Sequence, residues 1–191
     1  ADQMALRLAH HDEGAHAKGR PQSAQGGPIY DAIEQARTQA IGANALGGVR
    51  ENLRAALDQA WAKKPFNPIP PMDEIVSLMV RERLTGEAPP PAARPLVDLF
   101  RQEIEAKAGP DLDKLAANLQ DQKAFGKVAK AILRDLSMGD DLSDAPEQPD
   151  EDEEGGEDAE SESAEDQDGG EGEDQSPQQT AMDDSEATHR E

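Results

Sequence analysis

Apolar side chains recur every three or four residues along most of residues 1–139, which is the spacing of helices that bury one face. The clearest run extends from Phe125 to Leu136, where the apolar positions follow the order i, i+3, i+4, i+7, i+8 and i+11. No stretch alternates convincingly between apolar and polar residues with the period of two that indicates a strand. The pattern therefore predicts an all-α domain over residues 1–139.

Proline and glycine divide this pattern into about six helices. A first helical stretch occupies residues 2–11, and residues 10–27 continue as a loop rich in glycine, proline, serine and glutamine. Prolines exclude regular structure across residues 65–71, and Gly109 with Pro110 is expected to end a helix. The helices after the first are expected within residues 28–42, 49–64, 73–86, 95–109, 112–119 and 125–136.

The whole formal net charge of −22 lies beyond Gly139. Residues 1–139 carry 18 acidic and 18 basic side chains, whereas residues 140–191 carry 23 acidic side chains and one basic side chain. A segment this acidic and this poor in apolar residues cannot bury enough surface to offset its ordering entropy. We therefore expect a disordered acidic linker or tail over residues 140–191.

Composition excludes several kinds of site and location. The chain has no cysteine, so it contains no disulfide, thiolate nucleophile or cysteine-based zinc site. No apolar run approaches the roughly 20 residues needed to cross a bilayer, and no signal peptide opens the sequence. These features predict a cytoplasmic protein that does not bind a membrane. Both ends of the sequence look cut, so we expect a fragment of a longer protein.

One cluster near the N-terminus has the chemistry of metal ligands. It consists of His10, His11, Asp12 and His16. Neutral imidazoles suit divalent transition metals, and a nearby carboxylate can complete or orient such a site. The competing interpretation is a set of polar residues at a helix end, because adjacent histidines point apart on a helix and the spacing is loose.

Two charged features elsewhere could bind ligands. Arg81 and Arg83 could grip a phosphate or the carboxylate of a partner, although a helix end also favours such cations. The acidic run over residues 140–174 could bind cations weakly. It lacks the fixed geometry of an EF-hand loop, however, and a solubilising, self-repelling linker is the simpler interpretation.

Motifs for catalysis are missing from the sequence. The chain has no phosphate-binding loop G-x-x-x-x-G-K-[ST], no nucleophile elbow and no cysteine–histidine pair. It shows no basic patch for nucleic acid, and the acidic tail would repel nucleic acid. The residues alone therefore predict a helical binding module with no catalytic residue and no cofactor of its own.

Several blocks of the sequence, in the same order, resemble the T subunit of the aerobic cobaltochelatase. They are residues 4–8 with His11-Asp12, residues 30–37 with Ala40-Ile41-Gly42, and residues 51–53, 78–86, 97–99 and 121–125. The resemblance covers nearly all of residues 1–139. The acidic run agrees with it but would carry no weight alone.

The resemblance implies a subunit of an ATP-dependent ligase that inserts Co²⁺ into hydrogenobyrinic acid a,c-diamide during cobalamin biosynthesis. The implied partners are an AAA+ ATPase subunit and a large cobalt- and tetrapyrrole-binding subunit in a hetero-oligomeric ring assembly. The complex uses ATP, Mg²⁺ and Co²⁺, but the T subunit of this family does not hydrolyse ATP. The family's D-x-S-x-S metal-adhesion signature, which lies in a von Willebrand A domain, is absent here, so no functional residue is carried over. Residues 1–191 alone are therefore expected to be non-catalytic.

A non-enzymatic alternative stays open, in which the chain is an acidic chaperone or adaptor that binds a basic protein. Within the chelatase interpretation, residues 78–86 with their two arginines are the expected docking surface for the ATPase subunit. The acidic tail would then let a downstream domain reach the metal-loading subunit.

Overall fold

The computed structural model describes residues 1–65 and 71–138, and within these residues it contains seven helices and no strand. The helices are α1 (Asp2–His10), α2 (Glu13–Gly19), α3 (Gly26–Ala45), α4 (Gly47–Ala62), α5 (Met72–Thr85), α6 (Arg94–Ala117) and α7 (Gln122–Asp135). The prediction of an all-α fold is confirmed. The expected irregular structure at residues 66–70 and the expected disorder of residues 140–191 concern positions outside the described residues.

The centre of the fold is α3, which packs against α1, α4, α5 and α7. Its apolar residues Ile29, Ile33, Ala36 and Ala40 are buried, and they repeat at helical spacing. The apolar face of α5 lies along α3, and α6 and α7 complete the core. The polar residues of α3 therefore meet α1 and α2 at one edge of the core.

The structure corrects the predicted break at Gly109 and Pro110, because one continuous helix, α6, spans it. Ala108 and Leu112 stand one turn apart on either side of Pro110, and both are fully buried. A proline inside a helix costs about 3 kcal/mol through its missing N–H and its ring clash. Burial of the apolar side of α6 against α5 and α7 outweighs that local cost.

The structure also corrects the predicted loop over residues 10–27, which contains the short helix α2. Asp12 caps this helix, since its carboxylate accepts a hydrogen bond from the Ala15 amide at 2.8 Å. Its 7 residues are too few to display an apolar period. Packing against α7 stabilises it instead.

Two other predicted features are confirmed. Gly86 ends α5 in the left-handed conformation, with φ 72°. The periodic run in α7 buries Phe125, Ala129, Ile132 and Leu133. Across the described residues, each helix is too short or too polar to cross a bilayer.

Candidate functional site

Two carboxylates on α3, Asp31 and Glu34, face the connection between α1 and α2, and each binds a histidine. His11 Nδ1 donates a hydrogen bond to Glu34 Oε1 at 2.8 Å, and His16 Nε2 donates to Asp31 Oδ1 at 2.8 Å. The centroids of the two imidazole rings lie 4.8 Å apart. Because an ionised carboxylate only accepts hydrogen bonds, these contacts require a proton on the bonded nitrogen of each ring.

Each carboxylate is held in turn by an arginine. Arg37 donates from Nε to Glu34 Oε2 and from Nη2 to Glu34 Oε1, both at 2.8 Å. Arg20 donates from Nε to Asp31 Oδ1 and from Nη2 to Asp31 Oδ2, also at 2.8 Å. Such two-point contacts between charged groups are shorter and stronger than neutral hydrogen bonds. We call the two chains of histidine, carboxylate and arginine the His–carboxylate–Arg network.

Arg37 fastens this network to two other parts of the fold. Its side chain is almost completely buried. Its donors also reach the backbone oxygen of Leu119 at 3.1 Å, Gln122 Oε1 at 3.3 Å and the backbone oxygen of His10. The end of α1 and the turn between α6 and α7 are therefore tied to α3 through one guanidinium. A buried charge requires a full set of partners of this kind.

Burial and charge shift the pKa values of Asp31 in the network and of the neighbouring Tyr30. Burial alone would raise the pKa of Asp31, but hydrogen bonds from Arg20 and His16 stabilise its carboxylate and bring the pKa below its ordinary value. The pKa of Tyr30 rises to about 12, because burial and the negative charges of Glu34 and Asp31 disfavour the tyrosinate. At neutral pH the carboxylate is therefore ionised and the phenol neutral.

The network lines a groove of about 420 Å³ between α1, α2 and α3. The other nitrogen of this ring, His11 Nε2, lies 3.5 Å from Glu13 Oε2 and 3.5 Å from Arg7 Nη2. Arg7 and Glu13 are exposed and paired with each other at 2.6 Å. The free edge of the His11 ring thus faces a solvated pair of opposite charges.

The structure gives the four predicted metal ligands different positions. His11 and His16 lie side by side in the groove, whereas the side chain of His10 is exposed. Asp12 caps α2, and hydrogen bonds from backbone amides at the start of that helix lower the pKa of its carboxyl. Residues 1–65 and 71–138 contain no group of three or more histidine, cysteine, aspartate or glutamate side chains arranged to hold a metal ion. Metal binding by the four residues stays a prediction.

The two arginines predicted to bind a partner make contacts within the fold. Arg81 is buried, and it donates to Gln39 Oε1 at 3.2 Å and to Glu87 Oε2 at 3.0 Å. Arg83 is partly exposed and pairs with Asp113 at 2.7 Å and with a second carboxylate of α6. Partner binding by these arginines stays a prediction, and only Arg83 is accessible for it. Most of the apolar side chains of residues 78–86 are also buried in the core.

Four of the network residues were missed by the sequence analysis: Arg20, Asp31, Glu34 and Arg37. One signal was available, since Glu34 and Arg37 stand three residues apart beside the buried Ile33 and Ala36. Charged residues of opposite sign on the apolar side of a helix indicate a buried ion pair.

The outer surface of α1 carries apolar residues that the fold does not cover. Leu6 packs beside Gly42 of α3, whereas Met4 is 73% exposed and Leu8 is 81% exposed. Met4 and Leu8 are four residues apart and therefore lie on the same side of the helix. We call this surface the outer face of α1.

Comparison with models of known protein families gives a match. The family model described as cobalamin biosynthesis protein CobT matches residues 1–191, which is the whole sequence. No solved structure matches the chain.

Proposed function

We propose a function on the premise that this chain belongs to the cobalamin biosynthesis protein CobT family and takes part in cobalamin biosynthesis. It serves as a subunit of the ATP-dependent cobaltochelatase, which inserts Co²⁺ as its substrate into hydrogenobyrinic acid a,c-diamide. Within that complex it is the non-ATPase partner of an AAA+ subunit, and ATP with Mg²⁺ is used by the partner. The family match over residues 1–191 carries the proposal.

The geometry supports a docking role for the described residues. The His–carboxylate–Arg network joins α1, α2 and α3 through contacts of 2.8 Å. Its arginines and carboxylates are satisfied by one another and by the backbone, so they hold α1 in a fixed orientation. A flexible linker sets only how far a domain can reach, whereas a rigid helical body can also set its orientation.

The outer face of α1 is the surface that we assign to the AAA+ subunit. Two large apolar side chains on one turn of a rigid helix are the usual anchors of a helix-in-groove interface. We prefer this surface to residues 78–86, whose apolar residues Leu78, Met79, Val80 and Leu84 are buried in the core, while partner binding by Arg83 stays a prediction. Burial of one exposed leucine at an interface stabilises a complex by about 1.5–3 kcal/mol.

A matched pair of substitutions tests the assignment. Leu8→Ser and Leu99→Ser each replace an exposed leucine, one on α1 and one on α6, and their native exposures are 81% and 67%. Binding to the purified AAA+ subunit is measured by calorimetric titration, with circular dichroism as the check on folding. We expect Leu8→Ser to weaken binding at least about tenfold, which corresponds to about 1.4 kcal/mol. Leu99→Ser should leave the affinity unchanged.

Replacement of the acidic segment distinguishes the two candidate functions, a chelatase subunit and an acidic adaptor. Replacing residues 140–191 by a Gly/Ser linker of equal length should preserve binding to the AAA+ subunit if the helical body docks. Loss of binding with the linker, together with unchanged binding of Leu8→Ser, would make the acidic segment the docking element. A purified AAA+ subunit that does not bind the natural chain at all would refute the proposed function.

A further inference from the structure

The polar side of α7 carries four cations in a single stripe. They are Lys123, Lys127, Lys130 and Arg134. Their spacing of i, i+4, i+7 and i+11 places them within about 60° of one another around the helix axis. We call this stripe the basic face of α7. The stripe does not form a basic cluster along the sequence, because its cations are three or four residues apart and align only on the helix.

Two carboxylates of the fold partly offset the charge of this stripe, since Asp12 interacts electrostatically with Lys123 and Asp135 with Arg134. Among the described residues, no carboxylate oxygen lies within ion-pair distance of Lys123, Lys130 or Arg134. Lys127 has an interaction partner of its own. Elsewhere on the surface, cations such as Lys107 and Lys114 pair with a carboxylate one turn away on the same helix. Three cations of the basic face therefore lack the kind of ion pair that Lys107 and Lys114 form.

The last described residues after α7 lie against the connection between α2 and α3. Ser137 adopts the left-handed conformation with φ 56°, and the Met138 amide donates to the Leu133 carbonyl at 2.8 Å. The Met138 carbonyl then accepts a hydrogen bond from Ser23 Oγ at 3.2 Å. A Cβ on Gly26 would lie 2.6 Å from the same carbonyl, so only glycine leaves room for the chain there. The exit is thus fixed beside the connection between α2 and α3.

The position of this exit matters because α2 packs along α7. A Cβ on Gly19, at the end of α2, would lie 3.8 Å from Lys130 Cε, so the end of α2 and the basic face are adjacent. The residues that follow include four carboxylates within eight positions: Asp140, Asp141, Asp144 and Glu147. The stripe is about 16 Å long, and nine extended residues span up to about 30 Å, so the segment is long enough to lie along it.

We propose that the basic face of α7 is a docking surface for the acidic segment of the same chain at residues 140–147. Charge complementarity, the fixed exit beside α2 and the short tether together support this occupant over an acidic partner in solution. A tether of a few residues gives an effective concentration on the order of millimolar, which exceeds that of most partners. The proposal does not depend on the proposed function. The docked segment would then be held at a defined place on the helical body, by contacts that salt weakens.

A spin label tests the contact in the full chain, which contains no cysteine of its own. Ser143→Cys provides one attachment point, and paramagnetic broadening of backbone amides reports which helix it approaches. At low salt we expect broadening to be concentrated on α7. In about 1 M salt, where the screening length falls to about 3 Å, the α7 signals should recover.

A matched pair of neutralised variants makes the test specific. The first variant replaces all four cations of the basic face by glutamine. The control removes the same charge elsewhere through Arg54→Gln, Lys63→Gln, Lys107→Gln and Lys114→Gln. Broadening should fall at least fivefold in the first variant and persist in the control, with equal circular dichroism spectra in both.

Four results would overturn the proposal. Broadening that is equal in the two variants, or that persists in about 1 M salt, would show that the basic face does not hold the segment. A mixture of spin-labelled chains and isotope-labelled, label-free chains detects contact between copies. If α7 broadens as strongly in that mixture, the occupant is the segment of a second copy. If the α7 signals respond to an added RNA oligonucleotide but not to the spin label, the surface binds nucleic acid instead.

Discussion

Glu34 and Arg37 stand one turn apart on α3 and form a buried two-point ion pair. Arg37 Nε lies 2.8 Å from Glu34 Oε2, and Arg37 Nη2 lies 2.8 Å from Glu34 Oε1. Glu34 Oε1 also accepts the hydrogen bond from His11. The connection between α1 and α2 is thus fixed to α3 through a carboxylate that depends on this guanidinium.

Replacement of Arg37 by alanine should destabilise the fold by about 3–5 kcal/mol, because it leaves the buried Glu34 charge without its partner. Urea denaturation followed by circular dichroism measures the change. Lys107→Ala is the control, since its pair with Glu103 is exposed and should contribute less than about 1 kcal/mol. Equal losses in the two variants would contradict the structural role given to Arg37.

Much of the fold could be predicted because most of its helices display their apolar period in the sequence. The run in α7 and the glycine at the end of α5 are local signals, and both are confirmed. The helical conformation of α2 and of the middle of α6 depends on contacts with other helices. A local sequence pattern does not reveal such contacts. At Gly109 and Pro110 the local rule favours a break, and tertiary burial of Ala108 and Leu112 overrides it.

Because α6 is continuous, Gly109 lies inside a helix, where alanine is a better residue than glycine. A Cβ at this position would meet no atom within 4 Å. Gly109→Ala should therefore stabilise the protein by about 1 kcal/mol, because alanine loses less entropy in a helix. Thermal melting is the measurement. Gly42→Ala is the contrasting control and should lower stability, since the Leu6 side chain already occupies that space.

The candidate site could be predicted only in part. His11 and His16 were identified by their type, and the structure places them together. Their partners Asp31 and Glu34 lie 15 and 23 residues further along the chain, so pairing them requires knowledge of how α2 packs on α3. Arg81 illustrates the opposite case, because a charged residue at a helix end was expected at the surface and is buried.

Two single substitutions test whether the histidines bind a metal ion. If the groove binds Co²⁺ through its imidazoles, His16→Ala should weaken binding at least about tenfold, because even the loss of a group that only orients a ligand lowers metal affinity about 10–100-fold. His10→Ala should have no effect, because the side chain of His10 is exposed and lies outside the groove. Calorimetric titration with Co²⁺ at fixed pH compares the two. Identical titrations for both variants and the natural chain would leave the histidines with a structural role.

Tyr30 is the only tyrosine, so its ionisation can be followed directly by near-ultraviolet absorbance. Its pKa is about 12 in the folded protein, against about 10 in an unfolded chain. Between about pH 10 and about pH 12, Tyr30 therefore stays protonated in the folded state and is ionised in the unfolded state. The contribution of Tyr30 to the free energy of unfolding is therefore fully present below about pH 10. It is lost as the pH rises towards 12, and the total loss is about 2–3 kcal/mol.

The matching experiment titrates the natural chain with and without urea. We expect the absorbance midpoint near pH 12 in the folded protein and near pH 10 in urea. Tyr30→Phe should reduce the alkaline loss of stability. A folded protein whose tyrosine titrates near pH 10 would show that Tyr30 is not shielded by the packing of α2, α3 and α7.

That packing depends on close contact between Tyr30 and Gly126. A Cβ on Gly126 would lie 2.5 Å from Tyr30 Oη, while the next atom, Tyr30 Cζ, would be 3.6 Å away. Gly126→Ala should therefore destabilise the natural chain by about 1–3 kcal/mol through overpacking. The hydroxyl oxygen alone causes the clash, because 3.6 Å is an ordinary contact distance.

Removing that oxygen should reverse the sign of the effect. In the Tyr30→Phe background, Gly126→Ala meets no close atom and gains up to about 1 kcal/mol from the higher helix propensity of alanine. Urea denaturation of the four chains completes a double-mutant cycle, and we expect a coupling energy of about 2 kcal/mol or more between the two positions. Destabilisation of equal size in both backgrounds would locate the strain elsewhere in α7. Opposite signs would establish that the tyrosine hydroxyl sets the distance between α3 and α7, and with it the position of α2 beside the groove.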